Sequence, residues 1–378
     1  MKKLVGTNIH ILFTADTVGG VWNYTRELVT GLARRGVRVT LVSFGGVPAA
    51  EQRAWLEGVD GVRYLPTAYR LEWMQDAQRD LRESVRFLGN VIREAKPDVL
   101  HLSQFCYGAM KENQGVTQPK IVVAHSDVLS WNQAVRGELL SGAWAKWYGA
   151  TVRKGLAGAS LVVAPSQWML HSLEACYGRQ PRSRVIYNGR TPAWFDPMSR
   201  KENYAASAGR LWDEGKQLRL LMELESPPLP IRVAGATALA GERARENPKG
   251  APGVQFVGEL SEDAMRELLS RAAIYIATSK YEPFGLAPLE AALSRCAIVA
   301  NDIPSLREVW EDTVLYFRKD DAGSLREALA LLHGDRELRM EYASRAYERA
   351  VRHYMAGRMV DEYMEAYASV LEPRVRAA

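Results

Sequence analysis

Cysteine is scarce in this 378-residue chain: Cys106, Cys176 and Cys296 lie far apart, with no C-x-x-C pair. That excludes a disulfide framework and a thiolate metal knuckle, and reads as buried thiols in a reducing compartment. No H-x-x-x-H pair and no D-x-D triplet occurs, so no metal site is legible. No window approaches ~20 uninterrupted apolar residues, which excludes a membrane-spanning helix. Met1, Lys2 and Lys3 open a basic end, but the apolar run His10 to Phe13 is too short for a signal segment and runs into Asp16. The G-x-G-x-x-G fingerprint is missing, which argues against a dinucleotide-dependent oxidoreductase. There is no fixed-period repeat and no low-complexity tract. The expectation is a soluble, cytoplasmic protein.

What is present is enough chain for two domains of ordinary size. Residues 1–188 carry 23 Lys or Arg against 15 Asp or Glu, and residues 189–378 carry 26 against 29, within an overall net charge of +5. The basic residues of the first half are scattered among acids, which favours a solvated surface over a nucleic-acid site. Apolar β-type runs at His10–Thr14, Val37–Phe44, Gly61–Leu65, Val99–Leu102, Ile121–Ala124, Leu161–Ala164 and Arg184–Tyr187 alternate with helical patterns. Those patterns cover Trp22–Arg35, Tyr69–Glu94, Ala143–Leu156 and Gln167–Tyr177. Such alternation predicts a doubly wound, mostly parallel sheet. The turn at Tyr187, Asn188 and Gly189, followed by Pro192 and Pro197, reads as an interdomain hinge. A second series follows, with strands expected at Tyr204–Ala208, Ile231–Ala234, Val254–Val257, Ile274–Thr278, Ala297–Ala300 and Val314–Phe317, and long helices at Asp335–Tyr354 and Arg358–Leu371.

The chain is organised around Thr278 to Asn301, a strand, turn, helix and strand. Glu282 lies in the turn and Glu290 in the helix, eight residues on. Both could face the crevice at the carboxyl end of the preceding strand, where open α/β sheets bind ligands. The backbone N–H groups of Phe284, Gly285 and Leu286 would form an anion site at the helix start. A ligand carrying hydroxyls and a phosphate suits both features. After the first strand of the second series, Arg210 and Lys216 could converge on a diphosphate, one as a fork of donors and the other as a point charge. After the first strand of the chain, Asp16, Gly19 and Gly20 precede a helix, a loop that either approaches a phosphate or simply needs glycine to turn. His125 stands just past a strand end, in cleft-lining position. Asp127 is read chiefly as the cap of the following helix, and Ser166 likewise. Trp22, Tyr24, Tyr107 and Trp131 offer stacking faces or, more commonly, helix packing.

Glu282-Pro283-Phe284-Gly285 with Glu290 resembles the E-x7-E signature of retaining glycosyltransferases of the GT-B fold, most of all family four. The resemblance covers essentially the whole chain, with its specific motifs in the second half. It implies two Rossmann-like doubly wound α/β domains facing each other across a cleft, with a C-terminal helix crossing back. The corresponding division is an acceptor domain at 1–188, a nucleotide-sugar donor domain at 189–353, and a returning helix at 354–378. It further implies Glu290 on the donor's ribose and Glu282 against the transferred sugar. Arg210 and Lys216 would neutralise the leaving diphosphate, although Lys216 follows a Gly and sits one residue later than the family pattern. His125 would meet the transferred sugar, and Asp16, Gly19 and Gly20 would meet the donor diphosphate or the acceptor.

The resulting expectation is a hexosyltransferase. It would take a sugar from a nucleoside-diphosphate donor such as a UDP- or GDP-sugar, with retention and without metal or other cofactor, and give it to a small-molecule, glycan or lipid-linked hydroxyl acceptor. Hinge closure would exclude water. Peripheral membrane contact through the Arg-rich Tyr69–Glu94 segment is opposed by Asp76, Asp80 and Glu83 on its basic face. Two alternatives stand beside this reading: a phosphorylase or epimerase on the same fold, and a nucleotide-sugar binding module without catalysis.

Overall fold

A computed structural model describes residues 9–238 and 250–372 of the chain. The first seven strands are β1 (His10–Asp16), β2 (Arg38–Phe44), β3 (Val62–Pro66), β4 (Val99–Leu102), β5 (Lys120–Val123), β6 (Leu161–Ala164) and β7 (Ser183–Val185). They form one sheet in the order β3-β2-β1-β4-β5-β6-β7. The next six are β8 (Glu202–Ala208), β9 (Ile231–Ala234), β10 (Val254–Gly258), β11 (Ala272–Ala277), β12 (Ala297–Asn301) and β13 (Leu315–Phe317). They form a second sheet, β10-β9-β8-β11-β12-β13. Every strand pairing in both sheets is parallel. Parallel sheets covered on both faces need strands that are apolar throughout, and this is why the β-runs were legible as short continuous blocks. Each run read from the sequence is a strand, with ends within two residues of the reading.

The chain divides into two compact units. The first takes in the described residues up to Gln133, from Gly137 to Tyr187 and from Ala356 onward; the second takes in Ala134–Arg136 and Asn188–Met355. Apart from the three residues Ala134–Arg136, the chain passes between them at Tyr187/Asn188 and at Met355/Ala356. Residues 373–378 of the expected returning helix lie outside the described residues.

The core of the first unit draws Phe13, Leu41 and Val123 from the sheet, Leu28 and Leu32 from helix Gly20–Ala33, and Met359, Val360, Tyr363 and Tyr367 from helix Ala356–Leu371. The two helices approach closely because residue 31 is glycine: a Cβ there would fall 2.4 Å from Val360 Cγ2. The core of the second unit gathers Ile231, Val233, Ile274, Ile276 and Val299 beneath Leu325, Leu329 and Leu332 of helix Ala322–Gly334.

Two expectations change. The Tyr69–Glu94 helix starts only at Gln78. The stretch before it turns instead, with Asp76 in the left-handed region and the Arg70 N–H tied to Asp80, and it buries Leu71 and Glu72. Of the three thiols, Cys106 and Cys296 are buried but Cys176 is only half-buried. Trp22, Tyr24 and Tyr107 pack into the core, the commoner of the two readings given for them, while Trp131 is half-buried. The two caps form as read: Asp127 accepts from the N–H groups of Leu129 and Ser130, and Ser166 accepts from Met169.

Candidate active site

In the second sheet the strand order reverses between β8 and β11, the switch point at which an open α/β sheet leaves a crevice at its carboxyl ends. Two loops leave from those ends. The loop after β8 carries Arg210 and Lys216, and the loop after β11 carries Glu282 and Gly285. They are laced together: Thr278 Oγ1 donates to the Lys216 carbonyl at 2.7 Å, and the Lys280 N–H donates to the Gly215 carbonyl at 2.8 Å. From β12, the Asn301 amide donates to the carbonyls of Thr278 and Ser279.

This lacing brings Lys216 Nζ to 2.6 Å from Glu282 Oε2, which also accepts from Ser279 Oγ at 2.8 Å. Arg210 pairs with Asp213 at 2.5 Å, and its guanidinium lies 5.1 Å from the Trp212 ring. Burial alone would raise the Asp213 carboxyl. Arg210, Lys216 and the Gly215 N–H outweigh that and hold it below the usual carboxylate value. Both cations are thus compensated, but Arg210 keeps a third of its side-chain surface open, at 35%.

Helix Leu286–Leu293 begins beside this pair, with Gly285 at its N-cap and no side chain capping it. Gly285 sits at φ +94°, and a Cβ there would lie 3.2 Å from Glu282 Cγ and 3.3 Å from Pro288, so only glycine lets the turn fold Glu282 under the helix start. The Phe284 ring is buried edge-on to Tyr354, with centroids 5.3 Å apart, so this residue offers a ligand its backbone and not its ring. Leu286 is half-buried.

Glu290 lies one turn into that helix. Its partner is not Arg210 but Arg190: Arg190 Nε is 3.0 Å from Glu290 Oε1, with side chains only 4% and 11% exposed. The acidic pair therefore has two separate cationic partners, Lys216 for Glu282 and Arg190 for Glu290. Arg190 was not singled out from the sequence. The available signal was an arginine directly after the Asn-Gly turn with Trp194 and Phe195 close behind, a stacking environment for a guanidinium.

The remaining candidates gather in the first unit, at the equivalent reversal between β1 and β4. Asp16 ends β1 and accepts from the Val18 N–H at 2.6 Å and from Trp73 Nε1 at 3.4 Å. Gly19, at φ +71°, and Gly20 are exposed at the start of helix Gly20–Ala33, which also lacks a side-chain cap. His125 follows β5, with Nε2 3.3 Å from Ser103 Oγ and the Tyr24 ring edge-on at 4.5 Å. Part of the residue's surface remains open, but its ring is flanked by these groups and desolvation pushes its pKa down to about 3, so it is neutral. Behind it, His101 is fully buried, with Tyr24 Oη at 3.1 Å from one ring nitrogen and Tyr367 Oη at 2.8 Å from the other. Burial, with His125 nearby, lowers the His101 pKa strongly. Two surface depressions of this unit, of about 500 and 350 Å³, lie at the amino-terminal edge of its sheet, around Lys120 and around His10, away from these residues.

Comparison with known proteins bears on the family and the fold. Residues 18–193 match the model of glycosyltransferase family 4, and residues 198–349 match that of the glycosyl transferases group 1. O-antigen chain mannosyltransferase C of Escherichia coli is 22% identical over 97% of this chain and 99% of its own. α-Maltose-1-phosphate synthase of Mycolicibacterium smegmatis is 30% identical over 31% of this chain and 33% of its own. Among solved structures, sucrose-phosphate synthase from Thermosynechococcus elongatus superimposes with a TM-score of 0.78 at 16% identity, covering 96% of this chain and 99% of its own. Anabaena HepE in complex with UDP-glucose gives 0.72 at 18% identity, covering 96% and 100%. Two Rossmann-like parallel sheets, the E-x7-E turn at an uncapped helix start, and two family models in tandem place this chain in glycosyltransferase family four, the group 1 glycosyltransferases.

Proposed function

We propose that the protein moves a hexosyl group from a nucleoside-diphosphate sugar to a hydroxyl acceptor, with retention at the anomeric carbon and without a metal ion. The observation that carries this reading is the convergence, at the carboxyl ends of β8 and β11, of Lys216 and Arg210 with an uncapped helix amino end. A departing diphosphate gains negative charge as the glycosidic bond breaks. Preorganised cations and backbone N–H groups stabilise that charge most where it develops. Glu282 and Asp213 hold the two cations in place.

The second unit is read as the donor-holding half. Arg210, Lys216 and the N–H groups of Phe284, Gly285 and Leu286 take the diphosphate, Glu290 takes the ribose hydroxyls, and Glu282 lies near the sugar. The first unit is read as the half that meets the acceptor. There Asp16, Gly19 and Gly20 form the loop toward acceptor or phosphate, and neutral His125 positions the transferred sugar as a hydrogen-bonding group. No side chain stands out as a covalent nucleophile, so a front-face route is favoured in which the departing phosphate oxygen takes the acceptor's proton. The relatives' names support a mannosyl or glucosyl donor, and the HepE complexes with UDP and UDP-glucose support a uridine nucleotide in the test panel.

The test is a thermal-shift screen of nucleoside diphosphates and their sugars in the presence of EDTA, followed by transfer and hydrolysis assays with the best donor. Stabilisation by at least one diphosphate, lost in Arg210→Ala, is expected, with the product's anomeric configuration retained by NMR. If no nucleotide shifts the melting curve, the donor-site assignment is wrong. Turnover of the donor with no acceptor present would favour a phosphorylase or epimerase. Binding that survives Glu290→Ala, with no transfer, would favour a non-catalytic module.

A further inference from the structure

Arg190 is a buried guanidinium with an unusual address. It stands two residues inside the point where the chain enters the second unit, and its backbone is joined to the segment where the chain leaves. The Arg190 N–H donates to the Tyr354 carbonyl at 3.0 Å, and Arg190 forms an isolated parallel bridge with Met355. Its side chain is flanked by two aromatic rings, with the guanidinium carbon 5.3 Å from the Trp194 ring centroid and 5.5 Å from that of Phe195. From this fixed position Nε meets Glu290 Oε1 at 3.0 Å.

We infer that Arg190 is the positioning residue for Glu290: the aromatic-braced guanidinium, anchored where the two chain crossings pair, holds the Glu290 carboxylate ionised and oriented so that it can accept from a nucleotide's ribose hydroxyls. The inference rests on the reading of Glu290 as the ribose-binding group. Two physical points support it. A carboxylate enclosed to this degree keeps its charge only with a partner. A guanidinium stacked on rings has a defined plane, whereas a lysine at the same place would be a point charge on a flexible stem. The arrangement also ties the orientation of a donor-site side chain to the backbone pairing of the two crossing segments.

The test is calorimetric binding of UDP and 2′,3′-dideoxy-UDP, or of the GDP pair if GDP is the better ligand, between pH 5.5 and 8.5. The wild-type protein is expected to prefer the ribose form by roughly 10–100-fold with little dependence on pH. In Arg190→Met the carboxylate loses its counter-charge and its protonation moves up in pH. The preference should therefore collapse to about threefold or less at the acid end and recover as pH rises. A merely structural role for Arg190 would weaken both nucleotides alike and leave the ratio flat with pH. If wild type does not distinguish the two nucleotides, the ribose reading of Glu290 fails and this inference with it. If wild type distinguishes them and Arg190→Met does so equally at every pH, the inference alone is overturned. Should Arg190→Met not fold, Arg190→Lys decides: a roughly fivefold smaller preference, flat with pH, is expected, and an undiminished preference overturns the inference.

Discussion

The two units share one architecture and place polar groups at the same topological point, but they compensate buried polar groups differently. Near the first unit's reversal, burial favours the neutral form of several groups: it lowers the pKa values of His101 and His125, raises the Glu72 carboxyl despite the Phe105 N–H at 2.8 Å, and raises Tyr24, while the Asp16 and Asp127 carboxylates accept from backbone N–H groups. At the strand ends of the second unit they are ion pairs: Lys216 with Glu282, Arg210 with Asp213, Arg190 with Glu290. The contrast concerns the strand ends only, since Arg26 and Glu27 on helix Gly20–Ala33 are also buried. Its lesson is that the first half-site is sensitive to protons and the second to the loss of a single charge.

The sharpest way to break the comparison is to remove one charge from the second unit. Arg190→Met should destabilise that unit by about 3–5 kcal/mol, because a buried carboxylate is left without compensation. The double variant Arg190→Met/Glu290→Met should recover most of the loss. Urea denaturation of the three proteins checks this, and equal destabilisation of single and double variants would refute it. Next in size, Lys216→Met should slow transfer by about 10²–10³-fold, or 2.7–4 kcal/mol, by removing a donor to the leaving group. Unchanged turnover at saturating donor would remove Lys216 from the chemistry.

Acid should test the first unit. The folded-state pKa values of His101 and His125 are depressed, so below the unfolded value of about 6.5 the unfolded chain binds protons that the folded chain does not. Stability is fully present above that pH and is lost as pH falls toward about 3, at up to about 1.4 kcal/mol per pH unit for each histidine. Melting temperature against pH should show this loss, and His125→Asn should make it shallower; an identical slope in the variant would contradict the neutral state. The smallest effect sharpens the same point. Asp127, which caps helix Val128–Arg136, should cost about 1 kcal/mol when changed to Ala and little when changed to Asn. A large loss in Asp127→Asn would show that its charge, rather than its cap, stabilises the unit.

Strand positions, the Asp127 and Ser166 caps and the glycine at the E-x7-E turn were all legible locally. Their physical causes are local: apolar runs with turns between them, a side-chain oxygen reaching an N–H three residues on, a backbone angle only glycine adopts freely. The start of helix Gln78–Ala95 was not legible. Leu71 and Glu72 fit a helical spacing, but Glu72 is buried by its bonds to Phe105 and Cys106 of another segment. For Trp22, Tyr24 and Tyr107 the commoner reading, packing in the core, is the one the structure bears out.

By itself the sequence determined the two-sheet plan, the motif-bearing loops and the residue types of the candidate site. Tertiary structure alone decided the pairings: Glu290 with Arg190 one hundred positions away, Lys216 with Glu282, and a neutral histidine cluster beneath the first unit's loop. The reason is one of range. Propensity, turn geometry and capping act within a few residues of chain, whereas burial and charge compensation depend on which distant segments the packed sheets bring within a few ångströms.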